Sequence, residues 1–561
     1  MYHQSPISGV AANQDFIATA GYDNRVILWR GENSPIAVGF HDHLANQVTF
    51  SSDGLLLASS SSDYSVRIWS LPNLQLLTIL LHDDDVEGLS FSPCSKQIAT
   101  ASRDRKVRVF NINGEIENTF SGHANDAISV EWVDDNTILS CGDDGTLRFW
   151  DTRFENCIKC VDLGGKEVDT ICITESKYIF SGDDDGVITQ YNLDGVINKS
   201  YRAHQSGIKK LVASKKNIVS LSYDRTFKVW AFHDDVLTLT SEGTIPAIVW
   251  ARSCAFVDSE NIVFATFGDR CAKYSIRNSS WSIEEIKDTN SINSLYPSSD
   301  GLFTVGDAGV VKLDGKTINN ISSLCNFILK NNDVVICGGQ EGKLFNALNG
   351  DVIYQHHSPL NCVCFMPKLD RYLVGSYTGE LIVVSFENDR YHATTFKAHS
   401  NAIKGVSING NLVMTVCADH SVKIFTMDRN YCFDLLAEGK HEKIVNGCSA
   451  FRGGFISAGR DRKLNIWSDN SLEVIPTPHS NSIKCVASDG IHYIALGDYR
   501  GCVSLFNYTE RLWTMKKISI HGVSSIAYDS FSGYFIAGTY DGSAHTLESL
   551  THMEKKVVNH G

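Results

Sequence analysis

Short apolar runs recur about every 40 residues along the whole chain, each followed at fixed offsets by a Ser or Thr, an Asp and an aromatic residue. The first copy reads Phe16-Ile17-Ala18-Thr19, then Asp23, then Trp29. Others are Leu57-Ala58-Ser59 with Asp63 and Trp69, Ile98-Ala99-Thr100 with Asp104 and Phe110, and Ile138-Leu139-Ser140 with Asp144 and Trp150. Residues 29, 69, 110, 150, 191 and 230 carry the aromatics, roughly 39 to 41 apart. Alternation and turn residues divide each repeat into four short strands. In the first, Ile7–Ala12 is the expected inner strand, Phe16–Ala20 the second, Arg25–Trp29 the third and Pro35–Phe40 the outer one. Tyr22-Asp23-Asn24 makes the tight turn, because Asp and Asn side chains bond nearby backbone. The period predicts an all-β protein built of four-stranded antiparallel blades.

A histidine precedes many inner strands about 20 residues before the turn Asp, as in His3–Asp23, His43–Asp63, His204–Asp224, His399–Asp419, His441–Asp461 and His521–Asp541. His82–Asp104 and His123–Asp144 are slightly longer. In these residues the chain resembles the WD40 family, whose structural tetrad links a His, a Ser or Thr, the turn Asp and the third-strand Trp. The resemblance assigns the sets His3, Thr19, Asp23, Trp29; His43, Ser59, Asp63, Trp69; His123, Ser140, Asp144, Trp150; His204, Ser220, Asp224, Trp230; and His441, Ser457, Asp461, Trp467. A buried carboxylate needs donors, and a His and a hydroxyl supply them. The family's Gly-His and Trp-Asp pairs survive clearly only at Gly122-His123 and Trp150-Asp151.

Weaker copies continue at Ile262–Tyr274, Leu302–Leu313, Val334–Leu344 and Tyr372–Val384, and stronger ones return at Leu412–Phe425, Phe455–Trp467, Tyr493–Phe506 and Phe535–Leu547. Fourteen copies exceed a usual ring of about 4–8 blades. Two WD40-type β-propellers of about seven blades each are therefore expected, over residues 1–290 and 291–561, joined near Lys287–Ser294. A terminal outer strand at Glu554–Val558 is expected to complete the last blade. The architecture is similar to that of the actin-interacting protein 1 family, without a specific motif match.

Charge separates the halves. The chain has 50 basic and 64 acidic side chains, a net charge of −14. Residues 1–290 hold 26 basic and 39 acidic residues, whereas 291–561 hold 24 and 25. This balance argues against a direct nucleic-acid footprint. The sixteen cysteines fall mostly in apolar strand-like runs such as Ile171-Cys172-Ile173, where a free Cys acts as a small hydrophobe. With no signal-peptide pattern at Met1–Pro6 and no run approaching the ~18 apolar residues of a membrane span, a cytoplasmic setting without membrane contact is expected.

Candidate chemistry is sparse. The His–Ser–Asp sets imitate a catalytic triad, but they repeat once per blade and an active site would not. Cys157-Ile158-Lys159-Cys160 has no second ligand pair nearby and falls on an outer strand. Asp183-Asp184-Asp185-Gly186 opens like a calcium loop, yet its twelfth position is Asp194 and not Glu. No catalytic residue, metal or cofactor is expected. Lys209-Lys210 reads as a pair of solvated edge lysines.

In the WD40 family the residue just before the turn Asp commonly points to one face. Carried over, this gives Tyr22, Ser62, Arg103, Asp143, Asp184 and Tyr223 in the first half, and Ala418, Arg460, Tyr499 and Tyr540 in the second. Arg460, Tyr499 and Tyr540 come from successive blades, and Tyr and Arg are enriched at binding hot spots. Tyr499 precedes Arg500 instead of Asp, a departure from the pattern. The first half gathers acid at Asp83-Asp84-Asp85 and at Asp183 and Asp184, which suits a basic protein segment. The expected function is a non-enzymatic scaffold that assembles two or more proteins. The alternatives are an actin-disassembly cofactor and a regulatory subunit of a nucleic-acid-modifying enzyme.

Overall fold

The computed structural model describes residues 1–215, 217–387, 390–428, 432–468 and 471–548. Among these, the named elements are all strands, gathered into thirteen four-stranded antiparallel sheets and one three-stranded sheet. Each sheet uses strands in chain order, so we number them blades 1 to 14. No helix among the described residues is long and apolar enough to cross a membrane. The strand expected at Glu554–Val558 lies outside the described residues.

The chain forms two compact units, Met1–Thr289 with blades 1–7 and Asn290–Gly561 with blades 8–14. Within the first unit each inner strand packs on the next, and Val249–Phe256 of blade 7 returns against Ile7–Ala12 of blade 1. Ile7, Val10, Ile27 and Trp29 share one apolar cluster with Ala255, Val263 and Ala265 across that closure. Within the second unit Val523–Asp529 returns in the same way against Ser294–Ser298. Closure covers the apolar faces that the first and last blades of an open stack would leave exposed. The apolar core lies between neighbouring blades, with second and third strands buried and outer strands half exposed.

A buried polar set ties the strands of many blades together. In blade 1, His3 Nδ1 lies 2.9 Å from Asp23 and Nε2 2.7 Å from the Thr19 hydroxyl, which accepts the Trp29 indole N–H at 2.8 Å. Blade 4 repeats this with His123, Asp144, Ser140 and Trp150. Blade 12 does so with His441, Asp461, Ser457 and Trp467. In blade 6, His204 meets Ser220 at 2.7 Å and Asp224 at 3.3 Å, and Trp230 donates to Ser220.

Blade 2 corrects the expected set. His41, not His43, lies 2.9 Å from Asp63 and 2.7 Å from Ser59, with Trp69 donating to Ser59 at 2.9 Å. The amide after the histidine explains the choice. Gln4, Asp42, Ala124, Gln205 and Glu442 each donate their backbone N–H to the same carboxylate. The histidine must therefore stand directly after its outer strand or one residue further on, as His41 follows Ser34–Phe40 and His123 follows Ile116–Ser121. His43 sits two residues along the loop, where its Nδ1 accepts the Leu44 N–H at 2.7 Å. Blade 14 differs as well: Ser519, not His521, donates to Asp541 at 2.9 Å. In blade 13, His479 meets Asp498 and Ser504, both at 2.8 Å. Its carboxylate has moved into the second strand and its hydroxyl into the third.

Two glycines account for the scarcity of Gly-His pairs. A Cβ at Gly39 or Gly439, two residues before His41 and His441, would lie 2.8 or 2.4 Å from the Trp69 or Trp467 ring. The glycine required for close indole packing is thus displaced by one residue from the family's usual place.

Burial alone would raise the Asp23 carboxyl, but the charge and hydrogen bond of His3, the Gln4 amide and Arg25 outweigh it and hold the carboxyl below its ordinary value. Asp63, Asp144, Asp224 and Asp461 are held low in the same way. Their stabilisation is present above the unfolded value near 3.9 and is lost as pH falls through the folded values. Stability should therefore collapse below about pH 4, and Asp461→Asn should flatten that acid limb in urea titrations. Ser457→Ala, which strips both His441 Nε2 and Trp467 Nε1 of their partner, should cost about 1–3 kcal/mol. A loss well under this value would show that the hydroxyl does not bridge the set.

Candidate protein-binding site

The inner strand of every blade except blade 8 shifts register near its start. In blade 1 the shift falls between Ile7 and Gly9, which leaves Ser8 as the bulged residue. A bulge bends the strand and re-aims one side chain. In five blades of the second unit an asparagine or serine at or next to that place stitches the ring, whereas the bulges of blades 11 and 13 carry Lys404 and Lys484. Asn326, Asn361 and Asn446 donate to the carbonyls of Leu360, Ile403 and Ile483 on the next blade at 2.8, 2.8 and 2.7 Å. Asn293 does so to Cys325 at 3.1 Å, and Ser524 to Ile292.

The first unit begins the same way and then abandons it. Ser8 donates to Ala45 O and Asn46 to Val86 O. The equivalent places in blades 3 to 6 are Glu87, Ile128, Asp169 and Lys209, and in blade 7 a wider irregularity spans Trp250 to Ser253. Glu87, Asp169, Lys209 and Trp250 bring charge or an indole to the rim in place of a small neutral stitch.

Turn residues join them. The backbone N–H of Tyr22, Ser62, Arg103, Asp143, Asp184 and Tyr223 bonds the carbonyl of Pro6, Leu44, Asp85, Asp126, Glu167 and Gly207, just ahead of each inner strand. Each turn residue is thereby fixed beside its blade's bulge. Arg103 Nε donates to Glu87 at 2.8 Å and its NH1 to Asp126 at 2.6 Å. Glu87 also pairs with Arg252 at 3.5 Å. Arg252 lies over the Trp250 ring, which meets Tyr22 edge-on and stacks on Phe267. Lys209 pairs with Asp169 and, at 3.0 Å, with Asp184, while covering the Tyr223 ring at 4.6 Å. Lys209 is thus part of a half-buried ion cluster, correcting its expected place as a solvated edge lysine.

Acid exceeds base at this rim. Glu87, Asp126, Asp143, Glu167, Asp169 and Asp184 face Arg103, Lys209 and Arg252. Burial, then the charges of Asp184 and Asp169, push Glu167 up to about 7. Asp143 is raised well above the ordinary range by burial and its acidic neighbours, against the opposing charge of Arg103. Asp169 is raised by burial despite Lys209. The first ring mouth thus stores protons on carboxyls that an added cation would ionise.

Other expected residues are placed differently. Asp85 is buried and accepts the Ser62 hydroxyl at 3.0 Å, and Asp84 accepts the Asp85 amide. Asp83 is exposed but held by Lys106 and Arg108. Asp183 is buried, binding the amides of Asp185 and Val187 as a turn anchor. Tyr499 and Tyr540 stack with centroids 6.4 Å apart and are only 5% and 7% exposed, so they are not the exposed turn residues expected. Arg460 lies one blade earlier, its N–H on Ile444 O. Glu87, Asp126, Glu167, Asp169, Trp250 and Arg252 were not expected at the rim. For Glu87, Asp169 and Trp250 the signal is a polar or aromatic residue directly after the apolar first position of the inner strand, and Asp126 and Glu167 stand directly before that position.

Repeating four-stranded blades, tied by His, carboxylate, hydroxyl and indole groups, define a WD40-repeat protein. The family described as WD domain, G-beta repeat, matches residues 2–30, 34–70, 74–111, 114–151 and 391–426. Nuclear distribution protein PAC1 of Arthroderma otae is 25% identical over 306 residues, covering 45% of this chain and 65% of that protein. The ribosome biogenesis protein WDR12 homolog of Nematostella vectensis is 25% identical over 305 residues, covering 45% and 73%. COMPASS component SWD3 of Saccharomyces cerevisiae is 31% identical over 129 residues, covering 22% and 41%. The chain therefore spans under two thirds of the length of its PAC1 relative.

Glu167 binds its proton more tightly folded than unfolded, where its value is near 4.3. That stabilisation is complete below about pH 4 and is lost as pH rises through about 7. Glu167→Gln should flatten the fall in urea midpoint between pH 5 and 8. An unchanged slope would mean that Glu167 is ionised at the rim throughout.

Proposed function

We propose that this chain is a non-enzymatic protein-interaction scaffold whose first ring mouth receives a basic segment of a partner protein. The observation that carries this is acid at the bulges of the first unit, Glu87 and Asp169, with Asp126, Glu167 and Asp184 beside them, where the second unit has a neutral Asn or Ser in five blades and Lys404 and Lys484 in the other two. Closing the ring does not require carboxylate at those places, because asparagine and serine do that work in five blades of the second unit. Excess carboxylate at the mouth favours a Lys or Arg guest. The relatives' names support a role in assemblies more broadly, SWD3 being named as a component. The sixteen cysteines are all free thiols, which suits a reducing, cytoplasm-like compartment.

A cationic guest favours the ionised form of Glu167 as it binds, so binding near pH 7 releases protons. Affinity of the full chain for a fluorescent Lys/Arg-rich peptide should rise from pH 6 to pH 8 and fall with added salt. Glu167→Gln combined with Asp184→Asn should weaken it by about tenfold, equivalent to about 1.4 kcal/mol. Binding that ignores both salt and these substitutions would sink the proposal. Partners recovered with the wild-type chain from its source cells and lost with that variant would identify the natural guest.

A further inference from the structure

Blade 10 has lost its buried polar set. Its register pairs Tyr372 with Val384 as blade 1 pairs Ile17 with Trp29. Val374 and Val384 therefore stand where blade 1 has Thr19 and Trp29, and neither can bond a histidine. A histidine nonetheless follows the preceding outer strand, Val352–Gln355, and a second follows it at once.

His356 and His357 stack with ring centroids 4.1 Å apart and an interplanar angle of 37°. Both turn Nε2 toward one oxygen of Glu380, at 3.4 and 3.8 Å. Glu380 opens the strand Glu380–Glu387 and occupies the place of Arg25 in blade 1. The three donor atoms all lie within 4.8 Å of one another. Zinc bonds to imidazole nitrogen and carboxylate oxygen are about 2.0–2.2 Å, so a tetrahedral site needs donors roughly 3.3–3.6 Å apart. The separation from buried His356 already meets this. The exposed His357 ring needs only a small turn to do so.

The surroundings hold the donors in place. His356 Nδ1 lies 3.2 Å from the carbonyl of Ser358 and can donate to it in the tautomer that leaves Nε2 free to bind metal. Glu380 accepts the hydroxyls of Thr378 and Ser376, and its own N–H binds Ser376 Oγ at 2.9 Å. The other triad of this kind, His399, Cys417 and Asp419, differs. Both His399 nitrogens are engaged by hydroxyls at 2.7 Å, as the blade's structural set requires.

We propose that His356, His357 and Glu380 bind a divalent late first-row transition metal, for which zinc is the probe, at the junction of blades 9 and 10. Two imidazoles and a carboxylate are a suitable donor set, and an open fourth position facing solvent leaves room for water or a donor from a partner. The side chain of His357 is 66% exposed, so the site is reachable without unfolding.

The test uses the full chain carrying Cys157→Ser and Cys160→Ser, which removes the exposed thiol pair from competition. Zinc uptake is measured by equilibrium dialysis against a chromophoric chelator, and cobalt is added separately to read the visible absorption of the bound ion. One zinc per chain is expected, with affinity reduced at least tenfold by His357→Ala and by Glu380→Gln. Because His357 is exposed, its alanine variant should keep the parent thermal midpoint in chelator and lose the upward shift that zinc gives the parent. Equal zinc affinity in parent and folded His357→Ala chains, or no uptake by either, would overturn the site.

Discussion

A buried carboxylate at the blade turn is the constraint on which the repeat depends. Left unpaired, such a charge would cost several kcal/mol, so each blade must bring donors to it. Histidine, the following amide and often an arginine supply them, and the histidine's other nitrogen reaches the hydroxyl that the indole also binds. This one requirement fixes the distance from outer strand to inner strand and the depth of the third strand. Where the carboxylate moves, its partners move with it. Blade 13 shifts both Asp498 and the hydroxyl of Ser504, and His479 still finds them.

The bulge at the start of the inner strand is the second repeated device, and there the two units part. Asn and Ser at that place spend their hydrogen bonds on closing the second ring. In blades 3 to 7 the first ring gives up those bonds for charge and aromatic surface. A ring held by apolar clusters between blades can lose several stitches and remain closed. Apolar packing thus frees the rim positions from the task of closing the ring. Two rings made to one plan present different chemistry for this reason.

Loss of the structural set has consequences of its own. Val374 and Val384 fill the core of blade 10 with apolar volume and leave His356 without its customary partners. A buried imidazole still needs a partner, and Glu380 from the start of the third strand provides one. The degenerate blade is therefore a place where structural chemistry has been exchanged for a cluster with ligand character.

The sequence by itself determined the period, the four-strand blade, the turn Asp and the third-strand aromatic, because these follow from interactions within about 40 residues of chain. It also placed Arg103, Asp184, Tyr22 and Tyr223 at equivalent turns. It could not separate His41 from His43, because the decision rests on where the preceding outer strand ends and which amide then meets Asp63. It could not show that Asp85 is buried or that Tyr499 covers Tyr540, since burial depends on neighbouring blades. The rim of the first unit was hidden for the same reason. Glu87, Arg103 and Arg252 come from blades 3 and 7, and register shifts at the start of their inner strands decide which side chains meet there. Local spacing writes the blade, but only ring closure brings residues from opposite ends of a unit to one mouth.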